Sequence, residues 1–222
     1  MIRFEHLSKS FRTPDGPKVI LNNVSLTIPS GVAMGLLGRN GAGKSTLLEM
    51  IGGTIRPDAG RIVTRGTVSW PVGFAGSFHG DMTGLQNTRF IARVYGVDSD
   101  ELSEFVADFS ELGAYFDAPV RTYSSGMRSR LAFGISIGIP FDTYLVDEVT
   151  SVGDAAFKLK SREVFEARMR YAGAIVVTHS TAQLRKLCQA GAVLENGRLR
   201  YFDNVEDAIA LHHANMGSNE DE

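Results

Sequence analysis

Short apolar runs bounded by turn residues dominate the first third of the chain. Ile2–His6, Val24–Ile28, Arg61–Val63 and Thr67–Trp70 read as strands, divided by turns at Pro14-Asp15-Gly16-Pro17 and Pro29-Ser30-Gly31. Val32–Leu37 is an apolar run short enough for a buried strand, and Leu47–Ile51 reads as the opening of a helix. The pattern then changes period. Thr83-Gly84-Leu85-Gln86 has capping-box spacing and opens a helix through Tyr95, stopped by Gly96. Leu102, Phe105, Val106, Phe109 and Leu112 fall at helical spacing, and Gly113 ends that run. A third helix follows Ser125 to about Ile137. Beyond it, strands at Tyr144–Val146 and Ala174–Val177 alternate with helices from Ala155 to about Arg170 and at Thr181–Leu187. Asn196-Gly197 joins Ala192–Leu194 to Leu199–Phe202 as a hairpin, and Asn204 with Asp207 starts a last helix. Strands alternating with helices imply an α/β fold on a largely parallel sheet. The helical block at about 83–140 interrupts it in the manner of an inserted subdomain.

Composition narrows the class. At 222 residues the chain suits one domain with a subdomain insertion, long enough to bury a sizeable core. A net charge of −2 supplies no global basic field to recruit nucleic acid, and no nucleic-acid partner is expected. Cys188 is the single cysteine, which rules out an intrachain disulfide and suits a reducing compartment. Its amphipathic setting reads as a small buried apolar residue. The chain shows neither a basic-then-apolar leader nor an apolar run of ~18 residues. It is therefore expected in the cytosol or on a membrane protein. The domain is expected over residues 1–216, with 217–222 as an acidic, disordered tail.

Gly38-Arg39-Asn40-Gly41-Ala42-Gly43-Lys44-Ser45-Thr46 fits the phosphate-loop pattern G-x-x-x-x-G-K-[ST] between a strand and a helix. Its glycines let backbone N–H groups curl around an anion, and the helix N-terminus adds a positive dipole end. Lys44 is expected to reach the β- and γ-phosphates, and the Ser45 hydroxyl to ligate Mg²⁺. Asp147-Glu148 follows a strand that begins at Thr143 or Tyr144. Adjacent acids at a strand end are costly to bury without a cation. In a phosphate-loop protein the first can hold the metal and the second can polarise the attacking water. His179, just past a buried strand, either hydrogen-bonds a γ-phosphate or is a satisfied structural histidine. Tyr123-Ser124-Ser125-Gly126-Met127-Arg128-Ser129-Arg130-Leu131 is a small-residue turn opening a helix. It suits an anion, and an ordinary serine N-cap explains it as well. His6, His79, His212 and His213 show no metal-ligand spacing.

Together these residues resemble the ATP-binding-cassette (ABC) ATPases along nearly the whole chain. Gly38–Thr46 corresponds to Walker A, and Leu145-Val146-Asp147-Glu148 to Walker B with its catalytic glutamate. Tyr123-Ser124-Ser125-Gly126-Met127 stands at the LSGGQ-like signature, Ser151-Val152-Gly153-Asp154 at the D-loop, and His179 at the H-loop. Phe11 lies where the family has an aromatic that stacks on adenine. Two positions depart. The first signature glycine is Ser125, which restricts backbone approach to phosphate. The Q-loop glutamine is replaced by Gly73 or Phe74, with Gln86 too far along and His79 as a substitute. Ser69–Phe74, Met82-Thr83-Gly84, Tyr123–Arg130 and Val146–Val149 look like polysaccharide-export ABC subunits, in particular the KpsT type of bacterial capsule export. Relatives exporting O-antigen or teichoic acid often carry a C-terminal carbohydrate-binding extension, and none is expected here.

The resemblance implies a P-loop NTPase fold with an N-terminal antiparallel β subdomain and an inserted helical subdomain. It implies ATP and Mg²⁺ as ligands, with Phe11, Gly38, Asn40, Gly41, Ala42, Gly43, Lys44, Ser45 and Thr46 on the nucleotide. Ser45 and Asp147 would serve the metal, and Glu148 and His179 catalysis. Ser124, Ser125 and Gly126 would act on the ATP of a second copy, and Asp154 would lie across the dimer interface. The implied assembly is a head-to-tail homodimer on two copies of an inner-membrane permease, peripheral at the cytoplasmic face. A periplasmic and outer-membrane export apparatus would follow, with the polysaccharide contacted mainly by the permease. Val72–Met82, carrying Phe74, Phe78 and Met82 among glycines, is expected to dock that permease. Alternatives are an ABC subunit for another lipid-linked glycan or a drug, or a soluble ABC ATPase outside transport.

Overall fold

The computed structural model describes residues 1–73, 78–147 and 154–217. It divides into two compact units, Met1–Pro71 with Phe141–Glu148 and Met169–Glu222, and Val72–Pro140 with Val149–Arg168.

In the first unit, β1 (Ile2–Thr13) and β2 (Gly16–Ile28) form an antiparallel hairpin, and β4 (Ala59–Thr64) pairs on the far side of β1. Both hairpin strands run well beyond Ile2–His6 and Val24–Ile28. The outer half of β1 carries Ser8, Lys9 and Ser10, and that of β2 carries Val19, Ile20 and Leu21 as a run between Lys18 and Asn22; neither alternates, yet the backbone ladder continues to Thr13 opposite Gly16. Register shifts between Phe4 and Ser10 interrupt the ladder. There His6 and Asn23, each at φ 51°, bond through Nδ1 and Oδ1 at 3.0 Å.

The second sheet of this unit has the order β5-β6-β7-β3-β8-β9. Its strands are β3 (Ala33–Leu37), β5 (Val68–Pro71), β6 (Thr143–Asp147), β7 (Gly173–Val177), β8 (Ala190–Glu195) and β9 (Arg198–Phe202). Every residue of β3 and β7 is buried, as expected of parallel strands covered on both faces. Neighbours pair in parallel from β5 to β8, and only β9 runs antiparallel. Asn196 and Gly197 turn the β8–β9 hairpin with φ 48° and 75°, the two positive values a type I′ turn requires. Helices α1 (Lys44–Ile51), α6 (Thr181–Leu187) and α7 (Val205–Gly217) belong to this unit. Leu47, Leu48, Met50 and Ile51 of α1 join Phe4, Leu36, Leu145, Ile175 and Leu194 in one core. Gly217 is the last residue of α7, and the rest of the acidic tail lies outside the described residues. Cys188 is buried, and burial pushes its thiol up to about 12.

The second unit is helical: α2 (Gly84–Tyr95), α3 (Ser99–Ser110), two short 3-10 turns, α4 (Ser125–Gly138) and α5 (Ala155–Arg168). Thr83 and Gln86 form the capping box of α2, and Gly96 closes it at φ 68°. α3 ends at Ser110, ahead of the Gly113 stop read from its periodicity. Glu111 turns the chain at φ 54°, and its carboxylate bonds Lys160 at 2.9 Å and Arg130 at 3.3 Å. That anchoring puts the break before Leu112. Phe109 packs its ring 5.7 Å from Phe105, 5.6 Å from Phe133 and 5.3 Å from Phe157. Through Phe157, α5 joins this unit, which extends beyond the 83–140 block. Arg168 donates to the carbonyls of Ile137 and Gly138 at 3.0 and 3.3 Å, satisfying the end of α4.

Candidate nucleotide-binding site

The glycine-rich loop that fits the phosphate-loop pattern leaves the C-terminal end of β3 and closes onto α1. Within it the Ala42 N–H donates to the Arg39 carbonyl at 3.1 Å. Gly38, Gly41 and Gly43 hold φ of 154°, 77° and 105°. A methyl on Gly38 would stand 2.5 Å from the Leu194 carbonyl oxygen of β8, and one on Gly43 would stand 2.3 Å from Ile20 Cγ2 of β2. The backbone curls tightly here because no side chain intervenes. No side chain caps α1, so its first amides remain suited to an anion. Lys44 Nζ donates to the carbonyls of Gly38 at 2.7 Å and Arg39 at 3.0 Å, which ties the ammonium to the loop. Asn40 is exposed at the tip, and Ala42 and Thr46 are half-buried.

Ser45 Oγ donates to Asp147 Oδ2 at 2.8 Å, joining residues 102 positions apart. β7 lies between β3 and β6, so this bond links the loop to a strand that is not its neighbour. A hydroxyl and a carboxylate oxygen suit a hard divalent cation held by one or two carboxylates plus phosphate oxygens. Among the described residues no group of three or more His, Cys, Asp or Glu could cage a metal. The donor set therefore fits an Mg²⁺ that arrives with a nucleotide. Asp147 is level with Val177 across the β6–β7 ladder, and His179 follows two residues later, exposed at the same strand ends. Thr178 Oγ1 donates to Gln183 Oε1 at 2.7 Å, and Ser180 caps α6, so the backbone is fixed on both sides of His179. Glu148 lies outside the described residues.

Phe11 sits on β1 of the same unit, 39% exposed, with Lys9 Nζ 5.1 Å from its ring centroid. Lys9 also pairs with Asp58 at 2.7 Å. An exposed aromatic of this kind is suited to stacking on a base.

The family described as ABC transporter matches residues 21–151. The chain belongs to the ABC transporter family. The polysialic acid transport ATP-binding protein KpsT of Escherichia coli is 50% identical over 94% of this chain and 95% of its own length. The capsule polysaccharide export ATP-binding protein CtrD of Neisseria meningitidis serogroup B is 43% identical over 96% and 99%. A solved dimeric ATP-binding cassette in a post-hydrolysis state with ADP and Pi superposes with a TM-score of 0.72. It has 20% identity and covers 90% of this chain and 98% of that one. The ABC cassette fold read from the motifs is the fold observed: one unit carries an antiparallel β sheet and a mixed sheet, and the other is helical.

In the helical unit of this ABC chain, Ser124 is the N-cap of α4, its Oγ accepting from Met127 N at 3.2 Å. Ser125 and Gly126 are exposed in the first turn. Ser125 is helical, without the positive φ that only glycine takes freely, so a serine fits this backbone. Asp154 Oδ1 accepts from Phe157 N at 2.9 Å, and Oδ2 pairs with Arg130 of α4 at 2.8 Å. The amide bond, aided by Arg130, holds its carboxyl below the ordinary range. Arg130 lies 4.5 Å from the Phe157 ring centroid, so it braces α4 against the first turn of α5. That role was not legible from spacing. Gly73 has φ 84°, Phe74 lies outside the described residues, and Gln86 is used up in the α2 cap. His79 is exposed, and its backbone is held by Asn87, whose amide also reaches the carbonyls of Met82 and Thr83. Of the stretch Val72–Met82, residues 74–77 are outside the described set; Val72 is buried and Phe78 half-buried.

Proposed function

We propose that this chain is the ATP-binding and ATP-hydrolysing subunit of a transporter that exports capsular polysaccharide across the bacterial inner membrane. The observation that carries the reading is the Ser45–Asp147 bond at the mouth of the phosphate loop. The loop amides and Lys44 hold the phosphates of ATP, and Phe11 stacks on the base. Ser45 and Asp147 hold Mg²⁺, which when bound supplies positive charge against the phosphate oxygens. Glu148 orients the attacking water and accepts its proton, and His179 donates a hydrogen bond to the γ-phosphate. Residues Ser124, Ser125 and Gly126 of a second copy close over the nucleotide, with Asp154 at the interface between copies. The dimeric cassette named above supports this pairing. The polysialic acid transport and capsule polysaccharide export named for relatives at 50 and 43% identity support the cargo over O-antigen, where identity is 35%.

No helix among the described residues is long and apolar enough to cross a membrane. The subunit works bound to two copies of a permease at the cytoplasmic face of the inner membrane. The permease contacts most of the polysaccharide and hands it to a periplasmic and outer-membrane apparatus.

A mixed dimer tests the shared site. One chain carries Lys44→Ala and a differently tagged chain carries Ser124→Arg. Shared sites place both lesions in one site and leave the other intact, so half-site ATP occupancy is expected. Absence of any occupied site refutes the shared arrangement. For the cargo, replacing the chromosomal copy with Lys44→Ala in the native host should leave capsule inside the cell. Normal surface capsule would overturn that assignment.

A further inference from the structure

The outer half of β2 runs alongside the phosphate loop. Ile20 packs on Gly43, where a methyl would stand 2.3 Å from Cγ2. Two positions earlier on the strand, Lys18 lies beside Gly41, where a methyl would stand 3.3 Å from Nζ. The register places Lys18 directly opposite Phe11. One strand segment therefore sets an ammonium at the loop's glycine tip, across from the ring that stacks on the base.

Among the described residues, no acidic partner accounts for this cation. Lys18 is exposed, and its ammonium makes no ion pair or hydrogen bond among the described residues. Lys9, on the neighbouring strand, is paired with Asp58. The loop already carries Lys44 and an uncapped helix N-terminus, so another positive group here adds repulsion unless an anion neutralises it. β2 is also braced from behind, because Asn22 N donates to the Gly197 carbonyl at 2.8 Å and Val19 lies against Gly197. The hairpin thus holds Lys18 at the loop before any ligand arrives.

We propose that Lys18 is a phosphate-binding residue, contacting the polyphosphate of a nucleoside di- or triphosphate from the antiparallel sheet. This rests on the nucleotide-binding reading of the loop and adds a ligand from outside it. An exposed ammonium about 5 Å from a phosphate charge, at an effective dielectric constant between ~40 and ~80, strengthens binding about three- to fifteen-fold. The contact is sensitive to salt, as exposed charges are.

The experiment is calorimetric titration of MgATP and MgADP into full-length wild type, Lys18→Gln, Lys18→Arg and Lys44→Ala, at low and high salt. Lys18→Gln should weaken both nucleotides about three- to fifteen-fold at low salt and by less at high salt. Lys18→Arg should restore affinity to within about twofold, because it keeps the charge. Unchanged affinity in Lys18→Gln overturns the proposal, and so does a loss that neither salt reduces nor arginine rescues. If wild type binds, Lys44→Ala does not and Lys18→Gln matches wild type, only this inference falls. If wild type itself shows no binding, the nucleotide reading falls with it.

Discussion

Gly43→Ala should disable the phosphate loop through two separable costs. The first is conformational. At φ 105° an L-residue is strained, at roughly 1–2 kcal/mol. The second is steric. The new methyl would meet Ile20 Cγ2 at 2.3 Å and Cδ1 at 3.1 Å, and Ile20 is only 3% exposed, so it has little room to retreat. Overpacking of this kind costs about 1–3 kcal/mol. The sum, about 2–5 kcal/mol, corresponds to a fall in melting temperature of roughly 5–20 °C for a chain of this size. Gly31→Ala isolates the first cost, because Gly31 has φ 73° with nothing within 4 Å of an added methyl. It should lose roughly 2–8 °C and bind MgATP normally. Adding Ile20→Ala to Gly43→Ala removes the clashing methyl. The double variant should then be less destabilised than the sum of the singles by about 1–3 kcal/mol. Scanning calorimetry reads the stabilities and titration calorimetry reads the binding. Equal losses for Gly43→Ala and Gly31→Ala, together with strict additivity in the double variant, would refute the reasoning.

Glu148→Gln keeps size and hydrogen bonding but removes the charge, so ATP turnover should fall about 10²–10⁴-fold with nucleotide binding intact; near-normal turnover in the purified transporter sinks the general-base assignment. Asp147→Asn should raise the Mg²⁺ concentration needed for half-maximal turnover by at least about tenfold, because magnesium sites lean on one or two carboxylates; an unchanged Mg²⁺ titration contradicts the metal role. Asp98 caps α3 by accepting from the amides of Glu101 and Asp100, which hold its carboxyl below the ordinary range. A lowered folded value means the contribution is present above the ordinary aspartate value near pH ~4 and is lost as pH falls through the folded one. Asp98→Asn should therefore flatten the acid limb of the unfolding curve, and identical acid limbs would argue against it.

The chemistry was legible earlier than the architecture. The phosphate loop announces itself because its backbone conformations admit few residues other than glycine, and those positions recur at fixed offsets in one short segment. The Ser45–Asp147 contact could be expected only from paired roles, since no periodicity links residues so far apart. β1 and β2 were read too short because the outer half of β1 is mostly polar and that of β2 carries Val19, Ile20 and Leu21 as a run, so neither shows alternation. The end of α3 was misplaced because Glu111, held by Lys160 and Arg130, already takes a left-handed turn two residues before Gly113 does. The use of Arg130 and Asn87 as braces depends on which helices meet, and local pattern does not encode it.

Gly38 and Gly43 belong to one loop but differ in how they could ever change. At Gly43 the steric obstacle is the side chain of Ile20, so a smaller residue at position 20 would leave only the backbone strain of φ 105° to be met. At Gly38 the obstacle is the carbonyl of Leu194, a backbone atom that every amino acid at position 194 would present in the same place. A lineage carrying this fold can therefore ease the clash at one glycine by a compensating change, and cannot ease it at the other without rebuilding the β8 strand behind it.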